Sequence, residues 1–114
     1  MENKRNIGAE YETCAADFLR KNGYKILERN FRCRLGEIDL IAEKDGVLCF
    51  VEVKYRKNTA FGHPEEAVSC GKQQKIRKVA EFYLMCRKIP LDTPCRFDVV
   101  GVEGKEIRHT INAF

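Results

Sequence analysis

No stretch of this sequence approaches the roughly 18 uninterrupted apolar residues of a membrane span, and no early apolar run has the layout of a secretory leader. A cytoplasmic protein with no membrane partner is therefore expected. Paired metal-ligand spacings are missing too. The six cysteines (Cys14, Cys33, Cys49, Cys70, Cys86 and Cys95) form no Cys-x-x-Cys pair, and no His-x-x-x-His occurs. That spacing argues against zinc. In a reducing compartment, free thiols are expected rather than a disulfide framework, buried at Cys49 in an apolar run and at Cys14 and Cys86 in helical patterns. Internal repeats, linkers and low-complexity segments are also absent.

What remains suits a single domain over residues 1–114, long enough to bury a sizeable core and too short for two independent ones. Hydrophobic residues make up 44% and charged residues 33% of the chain, so disorder is not expected. Lys and Arg outnumber Asp and Glu by 21 to 17, a net charge of +4. The excess is modest, but it favours an anionic partner if several acids are gathered at one site.

Such a gathering is visible between residues 36 and 55. Gly36-Glu37-Ile38-Asp39-Leu40-Ile41 and Phe50-Val51-Glu52-Val53-Lys54-Tyr55 flank a turn at Lys44-Asp45-Gly46. With Asp45-Gly46 as a two-residue hairpin loop, paired residue numbers sum to 91, which sets Asp39 opposite Glu52 and Glu37 opposite Lys54. The period-two alternation of strands then puts Glu52 and Lys54 on one face. Two carboxylates about 5 Å apart at an effective dielectric near 20 repel by on the order of 3 kcal/mol. A shared proton, the nearby lysine or a divalent cation could offset that cost, and Mg²⁺ prefers oxygen ligands from one or two carboxylates plus water and phosphate. The bland alternative is a solvated hairpin face. Against it, Ile38, Leu40, Ile41, Val47, Leu48, Phe50, Val51 and Val53 make both faces largely apolar, the pattern of strands covered on both sides.

Around this hairpin the chain reads as a helix from about residue 7 to 21, a strand over 24–34, the hairpin strands, a helix that begins after Ser69 as its N-cap and runs to about Lys88, and two short strands over 95–102 and 106–111. Tyr11, Ala15, Phe18, Leu19 and Asn22 form the first helix's inward stripe, which Glu12 interrupts; it either pairs with an arginine or belongs to the acidic site. Arg29, Arg32 and Arg34 either grip phosphates or decorate an edge strand. The loop with Arg56, Lys57 and His63 adjoins the site, and His63 is read as a loop residue rather than a base. In the second helix, Gln73 lies on the side of Ile76, Val79, Ala80, Tyr83 and Leu84. Lys72, Lys75, Arg77 and Lys78 crowd its first turns against the dipole, an arrangement that a bound phosphate would relieve and a solvated basic face would also explain. Asp98 is read as the structural partner of Arg96.

Asp39 followed thirteen residues later by Glu52-Val53-Lys54 resembles the PD-(D/E)xK signature of restriction-endonuclease-like and Holliday-junction-resolvase-like nucleases. The succession Glu12-Thr13-Cys14-Ala15, Gly23-Tyr24, Arg29-Asn30-Phe31-Arg32, Gly36 to Ile41, Phe50 to Arg56, Lys72-Gln73 and Arg96 to Val100 resembles more closely the YraN-like family of bacterial proteins. The resemblance covers nearly the whole chain. It implies an α/β, restriction-endonuclease-like fold, a mixed five-stranded sheet flanked by helices. It also implies Mg²⁺, or Mn²⁺, held by Asp39, Glu52 and the Val53 carbonyl, with Lys54 acting on the attacking water and Glu12 and Gln73 completing the catalytic set. Ile38 departs from the signature's proline. The expected partner is nucleic acid, DNA first, contacted by Arg32, Arg34, Arg56, Lys57, Lys72 and Lys75. Resolvase-like enzymes often work as dimers, so a homodimer is a further expectation. The expected function is Mg²⁺-dependent hydrolysis of DNA phosphodiesters, on branched or otherwise structured DNA by analogy alone. The alternatives are a non-catalytic nucleic-acid-binding module with the same fold and an interaction protein whose acidic pocket is incidental.

Overall fold

The computed structural model describes residues 4–56 and 68–114, the side chains of residues 4–7 and 56 excepted. In chain order the elements are α1 (Lys4–Lys21), β1 (Lys25–Cys33), β2 (Gly36–Lys44), β3 (Val47–Arg56), α2 (Cys70–Cys86), β4 (Cys95–Glu103) and β5 (Glu106–Thr110). The five strands form one sheet in the order β1-β2-β3-β4-β5. The pairings β1–β2, β2–β3 and β4–β5 are antiparallel, and β3–β4 is parallel. The parallel pair needs a crossover, and α2 lies within it. The expected mixed five-stranded, helix-flanked sheet is what forms, consistent with a restriction-endonuclease-like fold.

Each face of the sheet packs on one helix. Ala15, Ala16 and Leu19 of α1 pack on Leu40, Ala42, Cys49, Val51 and Val100. On the opposite face, Ile76, Val79, Ala80, Tyr83 and Leu84 of α2 pack on Ile38, Ile41, Leu48 and Phe50. Burial on both sides is why the hairpin strands carry so few polar residues. Ser69 caps α2, its Oγ accepting from the Lys72 amide at 3.2 Å, as its side-chain type predicts. At the junction of β1 and β2, Gly36 has φ +147°, and a Cβ there would meet Val79 Cγ2 at 3.3 Å. A side chain at this position would press on α2.

The hairpin register is as the turn predicts. Asp45 and Gly46 both have positive φ, 53° and 78°, and the pairs run from Lys44↔Val47 to Leu40↔Val51, each summing to 91. The ladder then ends, and Asp39 and Glu52 do not form its next pair. The neighbouring β1–β2 ladder shows no pair at the same level, between Arg29↔Leu40 and Phe31↔Ile38, and its register shift lies farther along, between Ile26 and Glu28. Asn30, at the unpaired level, is left-handed, with φ 53°. Side-chain alternation is interrupted with it: Leu40 faces α1 and Ile38, two residues away, faces α2.

Two further expectations are corrected. Cys14 and Cys86 are exposed rather than buried, because the inward stripes pass through Ala15 and Leu19 on α1 and through Val79 and Tyr83 on α2. Cys49 is buried as expected, and burial pushes its thiol up to about 11. Asn22 is also exposed; its amide donates to the Phe18 carbonyl at 2.8 Å and closes the helix end. The expected pairing of Arg96 with Asp98 is present. Asp98 is fully buried and accepts from Arg96 at 2.9 Å and from the Asn112 amide at 3.1 Å, and lies 2.7 Å from His109 Nε2.

Candidate active site

The site is built where the β2–β3 ladder stops. Freed of a ladder position, the Asp39 carboxylate turns between the strands and accepts the Val53 amide at 2.8 Å through Oδ2. That bond does for Val53 what a backbone carbonyl does farther along the ladder. Glu52 lies beside it, only 4% exposed, and the two carboxyl groups are within hydrogen-bonding reach of each other. Since Leu48 and Phe50 face α2, alternation turns Glu52 and Lys54 toward the same helix. From the first turn of α2, Lys72 reaches down to Glu52, Nζ to Oε2 at 3.2 Å. Lys54 lies near Lys72, and the two positive charges oppose each other. Two carboxylates and two ammonium groups therefore meet in a cleft of about 290 Å³, lined also by Gly36, Glu37, Lys75 and Ile76.

Charge and burial work against each other here. Glu52 is pushed up to about 7, first by burial and then by Asp39, with Lys72 and Lys54 opposing. Asp39 is raised mainly by burial, which its bond from the Val53 amide partly offsets. Lys54 is pulled down by burial and then by Lys72. Glu12, approaching from α1, is raised by burial and by the charge of Asp39, with Arg29 and Asn30 opposing, and its Oε1 is buried without a hydrogen-bond partner among the described residues. Asp39 and Glu52 are thus held together at a cost set mainly by burial, with Glu12 close to Asp39.

The arrangement fits a hard divalent cation in a particular way. Among the described residues no three His, Cys, Asp or Glu side chains are grouped so as to hold a metal by themselves. The donor set is Asp39 and Glu52, with the Val53 carbonyl available from the main chain. Few protein ligands and several retained waters are what Mg²⁺ favours. The unpartnered Glu12 oxygen adds an acceptor without a donor in the same region.

The other predicted residues are distributed unevenly. Lys72 and Lys75 line the cleft. Gln73 is drawn away from it, its Nε2 donating to the Val68 carbonyl at 3.1 Å at the start of α2. Arg32 is exposed and pairs with Glu37 at 3.0 Å, and Arg34 is exposed beside the β1–β2 turn. The side chain of Arg56, and all of Lys57 and His63, lie outside the described residues. The pairing of Lys72 with Glu52 escaped the sequence reading, which placed Lys72 only among phosphate contacts. A signal for it existed: the crossover brings the N-terminus of α2 to the C-terminal end of β3, the place where α/β sheets bind ligands. Also unforeseen is the stack of Tyr11 on Tyr55, with ring centroids 3.8 Å apart and a hydrogen bond that pushes the Tyr11 phenol up to about 12.

Fold and cleft together define an α/β protein with a mixed sheet and an acidic, lysine-bordered pocket at the end of its central hairpin. A family model described as "Uncharacterised protein family UPF0102" matches residues 11–102, and the chain belongs to that family. It is similar to a "UPF0102 protein" of Lachnoclostridium phytofermentans, 53% identical over 98% of this chain and 95% of the relative. The corresponding figures are 47%, 94% and 91% for one from Persephonella marina, and 50%, 96% and 98% for one from Syntrophomonas wolfei. The family match is the YraN-like resemblance seen in the sequence, and it extends over Asp39, Glu52, Lys54 and Lys72.

Proposed function

We propose that this protein is a divalent-metal-dependent nuclease that hydrolyses DNA phosphodiester bonds, with Mg²⁺ or Mn²⁺ held by Asp39, Glu52 and the Val53 carbonyl. The observation that carries the reading is the pairing of buried Glu52 with half-buried Asp39 at the end of the β2–β3 ladder, faced by Lys54 and Lys72. An ion bound there supplies charge neutralisation and a lowered pKa for coordinated water. Lys54, projecting beside the carboxylates and eased toward its neutral form by burial, orients the attacking water and offsets charge that develops on the phosphoryl oxygens. Glu12 supplies a further acceptor next to Asp39. Lys75 extends the positive wall of the cleft, while exposed Arg32 and Arg34 stand ready for phosphates farther along a strand. Gln73 serves here as a positioning residue that fixes the entry to α2, and with it Lys72.

The test is incubation of the purified protein with linear, nicked, flapped and four-way DNA, and with RNA, with and without Mg²⁺ or Mn²⁺. Cleavage that requires the metal and disappears in Asp39→Asn and Lys54→Ala supports the proposal. Tight binding without product in any metal favours the second reading, a non-catalytic nucleic-acid-binding module. That reading draws on the lack of a third converging metal-ligating side chain among the described residues.

A further inference from the structure

Lys72 stands in an unusual relation to the proposed metal site. Its Nζ lies 3.2 Å from Glu52 Oε2, and its side chain is 41% exposed where that of Glu52 is 5% exposed. The ammonium group therefore reaches from the cleft mouth to a buried ligand oxygen. Lys54 already provides a cation from the strand itself, half-buried and next to the acids. Lys72 comes from a different element, on a four-carbon stem held in this pose by the ion pair, and Lys75, one turn farther along α2, lines the same cleft.

Counting Asp39, Glu52, Lys54 and Lys72, the cluster is neutral as it stands. A divalent ion on Glu52 must compete with Lys72 for Oε2, and its arrival leaves the cluster with two excess positive charges. We infer that Lys72 is a displaceable stand-in for the divalent cation: it occupies Glu52 until the ion binds, then turns outward to take a phosphate of the substrate. This rests on the metal-dependent reading above and adds to it a coupling between metal and phosphate binding. Neither ligand need touch the other. The lysine is bound to Glu52 in one state and free for an anion in the other.

The inference predicts effects of opposite sign from one substitution. Calorimetric titration of the full chain with Mn²⁺ should show Lys72→Met binding the ion about two to five times more tightly than the wild type, the range expected when one partly exposed ion pair no longer competes. Lys72→Arg should stay near the wild type. Anisotropy of a short fluorescent DNA duplex, with and without Ca²⁺, should show that the ion strengthens binding to the wild type more than to Lys72→Met. Unchanged or weaker Mn²⁺ affinity in Lys72→Met, while Asp39→Asn abolishes binding, overturns the inference and leaves the metal site standing. If no Asp39-dependent Mn²⁺ binding is found in either protein, both readings fall. Far-UV circular dichroism of each variant separates these outcomes from loss of fold.

Discussion

Replacing Glu52 with Gln should make the metal-free protein more stable above pH 7, although the residue is buried in the centre of the site. The carboxyl of Glu52 is raised from 4.5 to about 7, first by burial and then by Asp39. The native state therefore holds that proton more tightly than the unfolded chain. Stability should accordingly fall as pH rises from about 4.5 to about 7 and level off above. The full displacement corresponds to about 3 kcal/mol. Gln removes the burdened charge, and the displacement already includes the opposing pull of half-exposed Lys72. The net gain at pH 8 should be about 2–3 kcal/mol, vanishing or reversing at pH 5. Urea unfolding in the presence of a chelator at the two pH values measures it. An advantage that does not grow between pH 5 and pH 8 would refute the claim that burial and Asp39 strain Glu52.

The buried Asp98 behaves oppositely: burial alone would raise it, but bonds from His109, Arg96 and the Asn112 amide hold it below the ordinary carboxylate range. Its contribution is present above about pH 4 and lost as pH falls through its lowered native value. Asp98→Ala should cost about 3–5 kcal/mol at neutral pH, since Arg96 is left with an uncompensated charge; a urea midpoint near the wild type would contradict this. Ser69→Ala should cost about 1 kcal/mol by removing the cap of α2, measured in the same assay, and no change would show that the cap bond is idle. DNA affinity should fall steeply with salt if phosphates are the partner, and a flat dependence would exclude that form of recognition.

The course of the chain was legible because its local signals agree. Asp45-Gly46 fixes a hairpin loop and so the register, Ser69 starts α2, and the apolar faces of Leu40 and Ile41 demand a layer on each side. Simple alternation failed at Asp39. Strict continuation of the register would have set it squarely opposite Glu52, but the left-handed Asn30 and the gap in the β1–β2 ladder let its carboxylate turn in toward Val53. Asparagine tolerates that conformation better than most residues, so the interruption had a local signal, though a weak one. The ion pair of Lys72 with Glu52 had no local signal, because it depends on how a helix twenty residues away docks on the sheet. Gln73 shows the converse: the right helical face at the right turn, yet an amide committed to Val68.

The central claim is that one divalent ion sits between Asp39 and Glu52, and anomalous diffraction from crystals soaked in Mn²⁺ tests it most directly. A single strong peak is expected within about 2.0–2.4 Å of an oxygen from each carboxylate. A peak elsewhere, or none while Lys72 remains on Glu52, would contradict it.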